Sequence, residues 1–236
     1  MTGAAGVRPI RVSVLSVPKR SRPASENEDS AAADAETGLF AVADGASTSA
    51  RAEVWSRLLV QAYVGTGLDP CAEPVLGRLR QQWQAQVSAV SLPWYAQAKL
   101  LQGGASTFAG LALDRASEGF KVSAVGDSCV FQFRGARLLL AAPIAHSGGF
   151  SRFSPAVSTR LEDGPPDCQR WAGDYRPGDV FVLATDAMSR FLLDRYEHRE
   201  QVPAFGSPSD FPRRVEAYRR SGLLHDDDTT ICVVRP

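Results

Sequence analysis

Apolar residues along this chain gather in short, separate runs whose lengths and spacings predict a mixture of strands and helices. Residues 38–43 (GLFAVA) and 179–184 (DVFVLA) are almost wholly apolar, the pattern of a strand covered on both faces. Residues 10–17 alternate more loosely and predict a first strand, and residues 229–234 (TTICVV) predict a last one. Between 106 and 140 the runs STFAGLAL, FKVSAV, CVFQF and ARLLL are separated by small-residue turns, which reads as a meander of antiparallel strands. Helical spacing appears over 49–64, where Ala50, Val54, Leu58 and Ala62 recur every fourth residue, and over 72–90, where Leu76, Leu79, Trp83, Val87 and Val90 form a stripe. Pro93 interrupts that pattern, and 94–101 reads as a short resumed helix before Gly103-Gly104. Residues 187–199 and 211–221 are further helices, while 21–36 and 146–166 read as a polar loop and a long surface excursion. Helices cluster in the first half and before the last strand, and strands run throughout. That distribution predicts an α+β layered fold rather than an alternating parallel sheet, with residues 1–236 as one domain.

Composition narrows the classes. Lys+Arg and Asp+Glu both total 26, so the basic excess of a general nucleic-acid binder or a polybasic membrane binder is absent. Only Lys19, Lys99 and Lys121 are lysines, so positive charge is carried by arginine, which suits bidentate contact with phosphate as well as reflecting codon bias. The cysteines Cys71, Cys129, Cys168 and Cys232 show no CxxC spacing, which argues against zinc. With neither a signal-peptide apolar core nor a membrane-length apolar run in the sequence, a cytoplasmic location is the expectation.

The candidate chemistry lies in where the acids fall. Asp44 follows FAVA, Asp127 follows VSAV at a turn, Asp186 follows FVLAT, and Asp226, Asp227 and Asp228 precede TTICVV, while Glu28 and Asp29 stand in the acidic patch after the first strand. Asp is common at strand ends for local hydrogen-bonding reasons. Four strand ends each carrying one point instead to a shared site, because strand ends hold short side chains rigidly. Converging carboxylates repel one another unless a cation neutralises them, and hard divalent ions such as Mg²⁺ and Mn²⁺ take oxygen ligands.

The segments FAVADGAST, GGASTFAGL, VSAVGDSCVF, FVLATDAMS and HDDDTTICVV, preceded by SENEDS, stand in the order of a known motif series. Together they resemble the metal-dependent protein phosphatases (PPM, or type 2C, serine/threonine phosphatases), in particular the bacterial branch. The resemblance implies a four-layer α-β-β-α sandwich, two antiparallel sheets flanked by helices, with a cluster of two divalent cations, Mn²⁺ or Mg²⁺, at one end. By motif position Asp44 bridges the two ions, Asp186 and Asp227 complete the first, and Glu28 with the carbonyl of Gly45 serves the second. Asp29 and Asp228 stand beside these ligands, and Asp127 is the position that supports a third metal in relatives. The implied reaction is attack of a metal-bridging water on phosphoserine or phosphothreonine of a protein substrate, opposing a serine/threonine kinase.

Departures from the pattern accompany the matches. The phosphate-binding arginine expected four residues before Glu28 is Ala24, so Arg22, or Arg20 further back, has to reach the phosphate from a rearranged loop. Ala46 replaces a general-acid histidine, Ala187 stands where TDG has glycine, and Arg190 replaces an acid associated with the third metal. These changes keep open a non-catalytic phosphoprotein-binding scaffold, and the motifs also admit a small phosphoester as substrate. His225 beside the acids reads as a turn residue, Ser47, Thr107 and Ser128 lack a nucleophile's partners, and Arg213, Arg214, Arg219 and Arg220 read as a solvated helix face.

Overall fold

A computed structural model describes residues 9–88, 100, 102–151, 153–200, 205 and 207–236 of the chain. In chain order its strands are β1 (Arg11–Val17), β2 (Asp29–Asp34), β3 (Leu39–Asp44), β4 (Ala105–Ser106), β5 (Phe108–Asp114), β6 (Gly119–Val125), β7 (Cys129–Arg134), β8 (Arg137–Ala142), β9 (Val157–Ser158), β10 (Gln169–Asp174), β11 (Asp179–Ala184) and β12 (Thr229–Arg235). The helices among the described residues are α1 (Ala52–Thr66), α2 (Val75–Ser88), α3 (Asp186–Glu197) and α4 (Phe211–Arg220). One sheet runs β1-β12-β11-β7-β8 and the other β10-β6-β5-β3-β2, with antiparallel neighbours throughout, and β4 pairs β9 apart from both.

Three apolar layers hold the sheets and helices together, and the central strands serve two of them at once. In β3, Phe40 and Val42 face the space between the sheets while Ala41 and Ala43 face α1 and α2. In β11, Phe181 and Leu183 face inward while Val182 and Ala184 pack under α3 and α4. Both faces are therefore apolar, which explains why these strands read as continuous runs without visible alternation. The middle layer is tied by edge-to-face rings, Phe120 against Phe181 at 5.1 Å and Tyr175 against Phe181 at 6.1 Å. The result is the expected α-β-β-α sandwich of two antiparallel sheets with helices on both outer faces.

Several local expectations need correction. Residues 29–34 form β2 rather than loop, because Asp29 to Asp34 register against Asp44 to Leu39 and the ladder overrides the weak strand propensity of three alanines. The strands between 106 and 140 do not form one meander. β5-β6 and β7-β8 are hairpins in different sheets, and the chain crosses between sheets at Gly126–Ser128. Gly126 makes that crossing possible: its φ is +90°, and a Cβ there would stand 2.5 Å from the Pro155 carbonyl oxygen. The excursion over 146–166 is not wholly superficial, since Val157 is buried and its carbonyl accepts the Trp55 indole N–H at 2.7 Å. β10 (QRWAGD) had no counterpart in the apolar pattern, and pairing with β6 creates it at the sheet edge. The helix expected at 94–101 lies outside the described residues apart from Leu100, as do Ala89 and Val90. Of the four arginines taken as a solvated face, Arg219 is buried.

Phe181 contributes to packing on both sides of the inter-sheet layer, so Phe181→Ala should cost about 3–5 kcal/mol through lost burial and a residual cavity. A urea or guanidinium unfolding midpoint lowered by less than the equivalent of about 1 kcal/mol would show that this layer can collapse around the gap.

Candidate metal centre

Because neighbouring strands are antiparallel, the C-terminal ends of β3, β6 and β11 lie at the same end of the sandwich as the starts of β2 and β12. Asp44, Asp127, Asp186, Asp29 and the Asp227-Asp228 pair are delivered to that end by backbone topology alone. Asp29 and Asp44 are directly registered cross-strand partners. Asp44 feels the charges of Asp29, Asp186, Asp127 and Asp227, and Asp186 those of Asp127, Asp227 and Asp228, so the acids separated by up to two hundred residues share one electrostatic site.

Each acid is mounted by its own set of bonds. The Asp44 carbonyl accepts the Thr107 N–H at 2.9 Å and the Ser106 hydroxyl at 2.8 Å. Thr185, fully buried at the end of β11, donates its hydroxyl to Asp29 Oδ2 at 2.9 Å and accepts the Thr230 N–H at 3.0 Å, which ties the two sheets together beneath the acids. Asp228 is buried and accepts the backbone N–H groups of Lys19 and Glu28, both at 2.8 Å. It thereby fastens the N-terminal segment to the last strand. Arg219 of α4 donates to the carbonyls of Pro18 at 2.9 Å and Asp227 at 2.5 Å and to the Thr229 hydroxyl at 3.0 Å. Its role in holding the 226–229 turn was invisible in the sequence, where it looked like one more arginine on an exposed face.

Gly45 sits where three chain segments meet closely. A Cβ there would sit 2.8 Å from the Ala52 Cβ and 2.8 Å from the carbonyl oxygens of Ala52 and Glu28, so no side chain fits between the end of β3 and the start of α1. Ala187, by contrast, tolerates its methyl: it has no positive φ, lies in the first turn of α3, and donates its N–H to Asp186 Oδ1.

Burial and mutual repulsion perturb the acids together. Desolvation, then the neighbouring carboxylates, lifts Asp44 well above the ordinary carboxylate range. Asp29 is raised in the same way, chiefly by burial and by Asp186, with the Thr185 hydroxyl pulling against it. Asp186 is pushed up to about 7, and Asp127 is raised by burial against the opposing bond from the Ser154 hydroxyl. Asp29 Oδ1 is buried without a hydrogen-bond partner. An all-oxygen donor set and an orphaned buried carboxylate oxygen together fit a hard divalent cation. No three acids of this cluster bring carboxylate oxygens within 4.8 Å of one another.

Two cationic side chains enter the cluster. Lys19 Nζ stands 3.4 Å from Asp227 Oδ1, 3.8 Å from Glu28 Oε2 and 3.3 Å from the Ser47 hydroxyl, and the Ser47 hydroxyl itself donates to Glu28 Oε2 at 2.5 Å. Arg22 Nη1 lies 3.5 Å from the same Glu28 oxygen. Arg20 faces elsewhere, forming a two-pronged pair with Glu216 of α4 at 3.1 Å per contact. Lys19 was missed in the sequence, although its rarity as one of three lysines, just ahead of the acidic patch, was a usable signal. His225 is exposed, offering its carbonyl to the Asp227 N–H at 3.1 Å, and His198 caps the end of α3.

A double-sheet sandwich with helices outside and a cluster of partly to fully buried aspartates at one end is the architecture of metal-dependent phosphoprotein phosphatases. The chain belongs to the protein phosphatase 2C family, whose model matches residues 19–226; it is an enzyme of the serine/threonine phosphatase class. Among solved structures, PppA, described as a key regulatory component of T6SS in Pseudomonas aeruginosa, superposes with a TM-score of 0.62 at 24% identity, over 97% of this chain and 98% of that one. The catalytic domain of the serine/threonine phosphatase PstP, solved with two manganese ions, superposes at 0.59 with 21% identity over 96% and 98%. A bacterial serine phosphatase reaches 0.66 at 12% identity over 96% and 97%. Among proteins of curated function, none matches the sequence significantly.

The raised Asp186 carries a sign-definite consequence. Between its ordinary value of 3.8 and its value of about 7 in the fold, the unfolded chain has released a proton that the folded chain keeps, so folding stability falls as pH rises through that window. In chelator, the melting temperature of the wild type should drop relative to that of Asp186→Asn between about pH 5 and pH 7. Mn²⁺ should remove the drop; parallel profiles for the two proteins would show that Asp186 is not held protonated.

Proposed function

We propose that this chain hydrolyses phosphoserine and phosphothreonine in proteins through two divalent cations, Mn²⁺ or Mg²⁺, held at the acidic end of the sandwich. The observation that carries this reading is the convergence of buried, mutually coupled carboxylates from both sheets at one end, each with a raised pKa that a cation would relieve. In this reading Asp44 would contribute to both ions, Asp186 and Asp227 to one, and Glu28 and the Gly45 carbonyl to the other. Asp29 and Asp228 orient the set, Asp29 through Thr185 and Asp228 through the N–H groups of Lys19 and Glu28. Asp127, bonded to Ser154, is the candidate for an additional ion. Bound cations would supply a water of lowered pKa as nucleophile and offset the charge that develops on the phosphoryl oxygens.

The protein's own cations do the remaining phosphate recognition. Arg22 and Lys19 bring a guanidinium and an ammonium to the Glu28 side of the cluster, where a phosphoryl group would exchange carboxylate contacts for phosphate ones. Arg20 is committed to Glu216 and takes no part. With Ala46 at the position of a general acid, the leaving alkoxide takes its proton from water. Four free cysteines and the absence, among the described residues, of any helix long and apolar enough to cross a membrane suit a cytoplasmic setting opposite a serine/threonine kinase.

Hydrolysis of p-nitrophenyl phosphate and of a phosphothreonine peptide, with and without Mn²⁺, tests the assignment. Turnover should need the metal, stop with chelator, and vanish in Asp44→Asn and in Asp186→Asn while both variants stay folded. Folded protein that binds Mn²⁺ without turnover would favour a phosphoprotein-binding scaffold instead, and activity indifferent to chelation would remove the metal mechanism.

The cations separate in the same assay. Arg22→Ala should raise KM for the peptide by about ten- to a hundredfold, the worth of one charge-assisted hydrogen bond, while Arg20→Ala should leave it unchanged. Equal effects from the two substitutions would reassign the phosphate contact.

A further inference from the structure

A second cluster of ligand-type side chains lies away from the acidic end, at the β10 edge where the connection between α1 and α2 crosses the helix-covered face of the sheet. Asp69 and Cys71 come from that connection and Cys168 from the residue just before β10, so their spacing in the chain carried no metal signature. Folding brings one carboxylate oxygen of Asp69 and both sulfurs within 4.8 Å of one another. Cys71 is buried, and Asp69 and Cys168 are half-buried, so the group is not a chance gathering of solvated acids.

We infer that Asp69, Cys71 and Cys168 form a site for a thiophilic divalent cation, zinc in the first instance, distinct from the oxygen-only phosphatase centre. The donor chemistry decides the metal. Two sulfurs and one carboxylate match the ligand types of tetrahedral Zn²⁺, leaving the fourth position to water, whereas Mn²⁺ and Mg²⁺ prefer oxygen sets. The surroundings of the site are already in place. Asp69 Oδ1 accepts the Cys71 N–H at 2.9 Å, and Oδ2 pairs with Arg170 Nη2 at 2.5 Å, while Arg170 Nη1 also donates to the Cys168 carbonyl at 3.1 Å. Each carboxylate oxygen keeps a further lone pair for a cation. Two thiolates and a carboxylate facing a dication and one guanidinium leave no net charge, so Arg170 both orients Asp69 and balances the site.

The Cys168 thiol lies 3.8 Å from the Gln169 carbonyl, to which it donates, so it is held at the start of β10 beside Cys71. Metal binding would displace the protons of both thiols. A metal here would pin the α1–α2 connection to the edge strand.

Cobalt(II) is the probe, because thiolate ligation to it produces a near-ultraviolet charge-transfer absorption that oxygen ligands do not. The reduced full-length chain should take up cobalt with this band, and Asp44→Asn should retain it, since that substitution disables only the other centre. Cys168→Ser, at a half-exposed position where folding tolerates the change, should lose the band with unchanged circular dichroism, as should Cys71→Ser if it folds. Zinc added afterwards should bleach the band. Absence of the band from reduced wild type, its survival in Cys168→Ser, or formation of a Cys71–Cys168 disulfide in place of cobalt uptake would each overturn the site. The readout is independent of phosphatase turnover, so either conclusion can fail without the other.

Discussion

Crowding carboxylates into a buried corner is the constraint around which this molecule is built. Unpaired, such groups pay for desolvation and for one another's charge, and the response is visible in the raised protonation of Asp29, Asp44, Asp127 and Asp186. A fold can carry that load only if the acids sit on mounts that do not yield. Here the mounts are strand ends backed by three apolar layers, with Thr185 and Asp228 fastening the two sheets and the N-terminal segment beneath the cluster. The site lowers stability while holding the geometry ready for cations.

The supporting residues are more varied than the acids they support. Gly45 matters for what it lacks, since any side chain would push β3 away from α1 and from Glu28. Arg219 acts from the far side of the last strand, holding the turn that presents Asp227. Lys19 and Arg22 bring positive charge where the chain lacks the arginine at position 24. Losing one motif residue therefore does not strip the site of cations, because the segment before the acids folds back across them.

The two groups of candidate metal ligands show how donor chemistry can sort ions within one chain. At the end of the sandwich all donors are oxygens on rigid strand ends, which suits small hard cations. At the β10 edge two sulfurs join one carboxylate under a guanidinium. Both sheets contribute strand ends to the first site, and the sheet carrying β10 alone borders the second.

Much of this was legible along the chain. Apolar runs ending in Asp44, Asp127 and Asp186, and beginning after Asp228, located most strands and named the acids of the cluster, because a buried strand and its terminal residue are local features. β2 and β10 were not legible: alanine-rich and polar segments become strands only when a neighbour offers a ladder. Nor could the sheet assignment of β6 and β7 be read, since Gly126 turns the chain between sheets without changing the apolar pattern. The buried place of Arg219 and the meeting of Cys71 with Cys168 were out of reach for the same reason. Most of the elements, the acids and the family could be read along the chain, because they are properties of neighbouring residues. Which charges meet, which arginine is buried and which cysteines approach was decided by the tertiary structure, because those contacts join residues whose separation along the chain carries no periodic signal.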